Sequence, residues 1–78
     1  MPFTYILHSA YLNRFYIGST TLTPEERLNY HLSNHKGFTS KSKDWLIVFQ
    51  FESKTKAESL LLERKIKKRG AKRYLENN

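Results

Sequence analysis

The sequence predicts a small α/β (α+β) domain: a three-stranded antiparallel or mixed sheet flanked by helices, in the order β-β-α-β-α-(α). Three observations lead there. Two aromatic-rich stretches, 3–9 and 15–19, lie close together with turn-forming residues between them. Thr23 and Thr55 each precede a glutamate by three residues and open segments of helical period. One apolar run, 45–51, separates those two segments.

Residues 3–9 (FTYILHS) alternate and are rich in aromatic and aliphatic side chains, as a strand requires. Residues 15–19 form the second strand. Tyr11, Leu12, Asn13 and Arg14 make the tight turn, with Asn13 able to take a positive φ. An even-numbered loop pairs Tyr5 with Thr20 and Tyr16 with Ser9, placing both phenols on one face of the sheet. An odd-numbered loop would separate them. Gly18 falls on the tyrosine face, where a missing side chain leaves room for a ligand or another backbone.

In the first helix Thr23 is the N-cap, Pro24 the first helical residue and Glu26 the closing member of a capping box. Leu28, Leu32 and His35 recur at helical spacing, and Gly37 is placed to stop the helix. Residues 38–44 (FTSKSKD) read as a polar, basic loop. The run 45–51 is apolar on both alternating faces as far as Gln50, so it is expected as the middle strand, covered on both sides. Thr55 and Glu58 form a second capping box, opening a helix that runs to about Arg69. Gly70 ends it, and 71–76 form a last short helix.

With 78 residues, the chain is expected to form one domain over 1–78. Its core is small, since a domain of about 80 residues buries only ~60–65% of the surface its unfolded chain exposes. There is no cysteine, hence no disulfide and no thiolate metal site. His31 and His35 are four apart, but no third ligand completes a zinc spacing. Residues 1–12 lack the basic and apolar regions of a signal peptide, and no apolar run nears the ~20 residues that span a bilayer. A soluble, cytoplasmic protein without a membrane partner is the expectation. Fourteen Lys and Arg against seven Asp and Glu give a net charge of +7, which directs attention to polyanions.

Several polar residues stand where packing does not demand them. Arg27 and His31, at i and i+4, lie one above the other at the edge of the Leu28/Leu32 stripe. Glu63 sits between Leu60 at i−3 and Ile66 at i+3, an unusual place for a carboxylate on a solvated face. Phe3-Thr4-Tyr5, Tyr16-Ile17-Gly18, Arg27 with His31, and Leu60-Leu61-Leu62-Glu63 together resemble the GIY-YIG nuclease superfamily in order and spacing, over about residues 3–69. The chain is most similar to stand-alone, single-domain bacterial proteins related to the N-terminal nuclease domain of the excinuclease C protein. It departs from the family in having Phe3-Thr4 for the Gly-Ile of the first motif, and Ser19-Thr20 where some relatives have a lysine.

The resemblance implies a metal-dependent endonuclease acting on duplex or branched DNA, in repair or recombination. In it Tyr5 and Tyr16 would flank the scissile phosphate, one of them orienting water or acting as general base. Gly18 would allow close backbone approach, Arg27 would contact the phosphate, and His31 would assist proton transfer. Glu63 would hold one divalent cation, Mg²⁺ or Mn²⁺. A phenol needs its pKa depressed to act as a base at neutral pH, a task for Arg27 or the metal.

Taken singly, each residue has a plainer use. The tyrosines can be strand aromatics, Arg27 can pair with Glu26, His31 can be a surface histidine, and Glu63 can pair with Lys67 at i+4. Their joint placement on four elements favours the site. Phosphate contacts are expected from Lys36, Lys41 and Lys43, and from Lys67, Lys68 and Arg69 within the basic end of the second helix. That end also suits the helix dipole. Two other functions remain open from sequence: a non-catalytic nucleic-acid-binding module, and a nuclease component that takes its specificity from a protein partner.

Overall fold

The computed structural model describes residues 1–33 and 42–76, with the side chains of 30–33 excepted. Its elements run β1 (Phe3–Ser9), β2 (Arg14–Thr20), α1 (Pro24–Ser33), β3 (Leu46–Glu52), α2 (Lys56–Arg69) and α3 (Ala71–Glu76). The three strands form one antiparallel sheet in the order β2-β1-β3. No helix among the described residues is long and apolar enough to cross a membrane.

The middle strand is therefore β1, not the aliphatic run at 45–51, which becomes an edge. The burial of the two strands shows why. Thr4, Tyr5, Ile6, Leu7 and Ser9 are all buried, so β1 is covered on both faces, whereas Leu46, Val48 and Phe51 of β3 are exposed. A bulge between Ile6 and Leu7 interrupts the β1–β3 pairing. An apolar run shows that a strand is hydrophobic; it does not show how many neighbours pair with it.

In the hairpin Tyr5 pairs with Gly18 and Leu7 with Tyr16, two residues away from the register expected from sequence. The connection is 10–13, with Asn13 at φ 53°. A slip of two preserves the alternation of side chains, so Tyr5 and Tyr16 still share a face. Their rings lie 6.4 Å apart, tilted by 26°.

Both helix starts are fixed by reciprocal capping boxes. The Glu26 N–H donates to Thr23 Oγ1 (3.2 Å) and the Thr23 N–H to Glu26 Oε1 (3.1 Å). At α2 the Glu58 N–H donates to Thr55 Oγ1 (3.1 Å) and the Thr55 N–H to Glu58 Oε1 (3.2 Å). Gly70, at φ 95°, ends α2 by donating its N–H to the Ile66 carbonyl (2.8 Å). The expected stop of α1 at Gly37 lies outside the described residues.

The helices cover opposite faces of the sheet. On one face Tyr5, Leu7 and Trp45 are buried against Leu12, Tyr16, Leu28 of α1 and Ile47. On the other Ile6, Ile66 and Ala71 pack with Phe15, Ile17, Phe49, Leu62 and Tyr74. Thr4 secures the second face by donating its hydroxyl to the Ser59 carbonyl of α2 (2.8 Å), in a fully buried bond.

Candidate active site

The site forms where the two faces meet, at the outer edge of β2. Tyr5 rises from the central strand and lays its phenol over Gly18 on the neighbouring strand. A Cβ at Gly18 would stand 2.6 Å from the Tyr5 hydroxyl oxygen and 3.3 Å from Tyr16 Cε1. The room left by the glycine is thus filled by the phenol, which the register Tyr5↔Gly18 brings there. Arg27, half-buried on α1, hydrogen-bonds the Tyr5 hydroxyl.

The next residue, Ser19, faces the opposite side and carries the other half of the site. Its Oγ donates to Glu63 Oε1 at 2.8 Å, while Lys67 Nζ holds Glu63 Oε2 at 2.8 Å. Glu63 is largely covered, with its side chain 17% exposed. Because Gly18 and Ser19 are consecutive, the phenol above the sheet and the carboxylate below it converge around the strand edge. Tyr16, Arg27 and Glu63 all lie close enough for their charge to bear on the Tyr5 hydroxyl.

Burial pushes the Tyr5 phenol above the usual tyrosine range; the hydrogen bond from Arg27 opposes this without reversing it. Tyr5 is therefore neutral at pH 7. Arg27 by itself does not give Tyr5 the depressed pKa that a phenolic base needs, because desolvation outweighs the guanidinium. The half-buried Tyr16 is the phenol more open to solvent.

Beside the phenols, a polar cleft of about 250 Å³ opens between the end of β2, Arg27 of α1 and the start of α2. Such an arrangement of guanidinium, phenols, hydroxyls and one carboxylate can bind an anion and stabilise charge on its oxygens. A family model for the GIY-YIG catalytic domain matches residues 1–76. The chain belongs to this family. Its domains are generally nucleases, hydrolysing phosphodiesters. No curated protein and no solved structure matches the chain.

Of the residues expected at a GIY-YIG site, the structure brings together Tyr5, Tyr16, Arg27 and Glu63, with Gly18 beneath the first phenol. His31 lies in α1, but its side chain is outside the described residues, as are Lys36 and Lys41. Lys43 is exposed. Lys67 is engaged with Glu63. Lys68 and Arg69 point elsewhere on α2 and line a separate basic concavity with Lys65 and Arg73.

Sequence reasoning missed Ser19, the residue that fixes Glu63. A serine following Gly18 carries no signal of that role; it emerges only when α2 crosses β2.

Among the described residues, no three His, Cys, Asp or Glu side chains gather into a metal cage. The oxygens at Glu63 are hard ones, its own carboxylate and the Ser19 hydroxyl, and Lys67 Nζ stands beside them, 2.8 Å from Oε2. The oxygens are of the kind Mg²⁺ takes, but an ion there would have to displace the Lys67 ammonium from Glu63, and the set does not make a closed zinc site.

Proposed function

We propose that the chain is a metal-dependent endonuclease that hydrolyses phosphodiester bonds in DNA. The observation that carries this reading is the convergence of Tyr5, Arg27 and Glu63 around the edge of β2. The net charge of +7 supports a polyanionic substrate.

In hydrolysis, water forms a new bond to phosphorus, and the bond from phosphorus to one bridging oxygen breaks. The proton lost by water must be accepted, and the departing oxygen must receive one. Arg27 would donate hydrogen bonds to the non-bridging oxygens as charge builds on them. Tyr5 would orient water or phosphate through its hydroxyl. Tyr16 and His31 remain the residues assigned to proton transfer. Glu63, set by Ser19, would hold one Mg²⁺ or Mn²⁺, which supplies polarisation of the phosphate and stabilisation of the leaving oxygen. A role in repair or recombination on branched DNA, in the manner of the excinuclease C protein, belongs to the same reading, as does a protein partner that directs the cut.

One observation favours a second reading, binding without cutting: both oxygens of Glu63 are already engaged by Ser19 and Lys67. A cleavage assay separates the two. Single-stranded, duplex and branched DNA are incubated with Mg²⁺ or Mn²⁺ and either the native chain or Glu63→Gln. The native chain is expected to cut at least one substrate, and the variant to lose about 10²–10³-fold in rate, the usual effect of removing one stabilising group. Equal cutting by both would sink the assignment of Glu63. Salt-sensitive binding with no cutting of any substrate would establish the second reading.

A further inference from the structure

We infer that the cleft at the start of α2 is a second phosphate subsite, in which Lys56, Thr20 and Thr21 hold the phosphate next to the one cut. This rests on the nuclease reading for the word "next"; the binding itself does not.

The cleft is built from hydroxyls and cations. Thr20, Thr21 and Ser19 line it from the end of β2, Arg27 from α1, and Lys56 from the first residue of α2. Among the described residues, no carboxylate lines it. It shares Arg27 and Ser19 with the candidate active site, so it lies directly beside that site. A strand whose scissile phosphate met Arg27 would therefore carry a neighbouring phosphate into this space, where an ammonium and hydroxyls are the matching chemistry.

The position of Lys56 supplies an independent argument. Lysine at the first turn of a helix faces the positive end of the helix dipole, where acidic residues are favoured. Lys56 is exposed and makes no ion pair among the described residues. An anion bound in the cleft would offset that unfavourable contact.

The test uses the full chain and two probes. Inorganic phosphate is titrated while backbone amides are followed by NMR, with shifts expected at Thr20, Thr21 and Lys56. Affinity for a single-stranded DNA 12-mer is then measured across a salt series for the native chain, Lys56→Met, Lys56→Arg and Thr21→Val. Lys56→Met is expected to weaken oligonucleotide binding about 3–10-fold and to lower the salt slope by about one phosphate contact. Its thermal midpoint should hold or rise, because an unfavourable dipole contact is removed. Lys56→Arg should restore most of the binding, and Thr21→Val should weaken it less. In cleavage, Lys56→Met should raise KM while kcat stays within about twofold. Phosphate shifts confined to other residues, or Lys56→Met binding with native affinity and salt slope, would overturn the subsite even if the chain cuts DNA. Loss of phosphate shifts in Lys56→Met with no cutting by the native chain would keep the subsite and remove the nuclease reading.

Discussion

On the α2 side of the sheet, Ile6 and Ile66 are fully buried among Phe15, Ile17, Phe49 and Leu62. On the α1 side the same depth is filled by Tyr5 and Trp45, each 1% exposed, whose side chains carry polar atoms into the interior. The first face is held by apolar contact, plus the Thr4–Ser59 bond that pins the helix. The second is stable only while its polar atoms keep their partners, as the Tyr5 hydroxyl does with Arg27. The contrast separates the half of the candidate site that holds the phenol and guanidinium from the half, on the α2 side, that holds Glu63. One face supplies the stability that lets the other hold a buried phenol and a guanidinium in contact.

The contrast is most exposed to failure at Ile66. Ile66→Ala should cost about 2–5 kcal/mol, since the residue is fully buried and leaves a cavity beneath the sheet. That is a large part of the ~5–15 kcal/mol available to a domain. Urea denaturation gives the answer: a loss under about 1 kcal/mol would mean the α2 face is not the main source of stability. The next largest effect is expected on the other face. Gly18→Ala places a Cβ 2.6 Å from the Tyr5 hydroxyl oxygen and 2.8 Å from Cζ. Tyr5 is buried and its hydroxyl is held by Arg27, so the ring must shift to make room; the cost should be about 1–3 kcal/mol, with the Tyr5–Arg27 bond displaced. Tyr5→Phe in the same background should recover part of that loss, because the closest atom is gone. Strict additivity of the two changes would show that the glycine is not there to seat the phenol.

These two residues also mark how far the sequence could be read. The capping boxes at Thr23 and Thr55, the stop at Gly70 and the positive φ of Asn13 are local, set by residues within a turn of one another, and all were legible. The shared face of Tyr5 and Tyr16 was legible because parity alone decides it. The hairpin register was not, because a turn at 10–13 and one displaced by a residue keep the same alternation; the identity of the middle strand was not, because it depends on α1 bringing β3 back to β1 instead of to β2. Tyr5, Tyr16, Arg27 and Glu63 stood out in the sequence through motif order. The contact of Ser19 with Glu63 did not, because it comes from an element distant in sequence.

Asp44 refines the contrast at its smallest scale, because it fastens the tyrosine face from outside. Its carboxylate accepts from Ser9 Oγ (2.5 Å) and the Tyr11 N–H (2.9 Å), and from the Ser42 hydroxyl, just ahead of buried Trp45. Ser9 Oγ in turn accepts from the Leu12 N–H (3.1 Å), so one exposed aspartate ties the hairpin turn to the entry of β3. The hydrogen bonds from Ser42, Ser9 and the Tyr11 amide lower its pKa from 3.8 to about 2. A depressed carboxylate contributes stability that is fully present above its unfolded pKa and is lost as pH falls through the folded one. The window is therefore about pH 4 down to pH 2. Asp44→Asn should lower the urea midpoint slightly at pH 7, where the native carboxylate is charged, and should show a shallower fall than the native chain between pH 4 and pH 2. Near-ultraviolet circular dichroism follows Trp45 through the same titration. If the tyrosine face depends on this tie, the tryptophan signal should weaken with acid before the helical signal does. Coincident loss of both signals would mean the two faces unfold as one unit, and that the aspartate fastens only the turn.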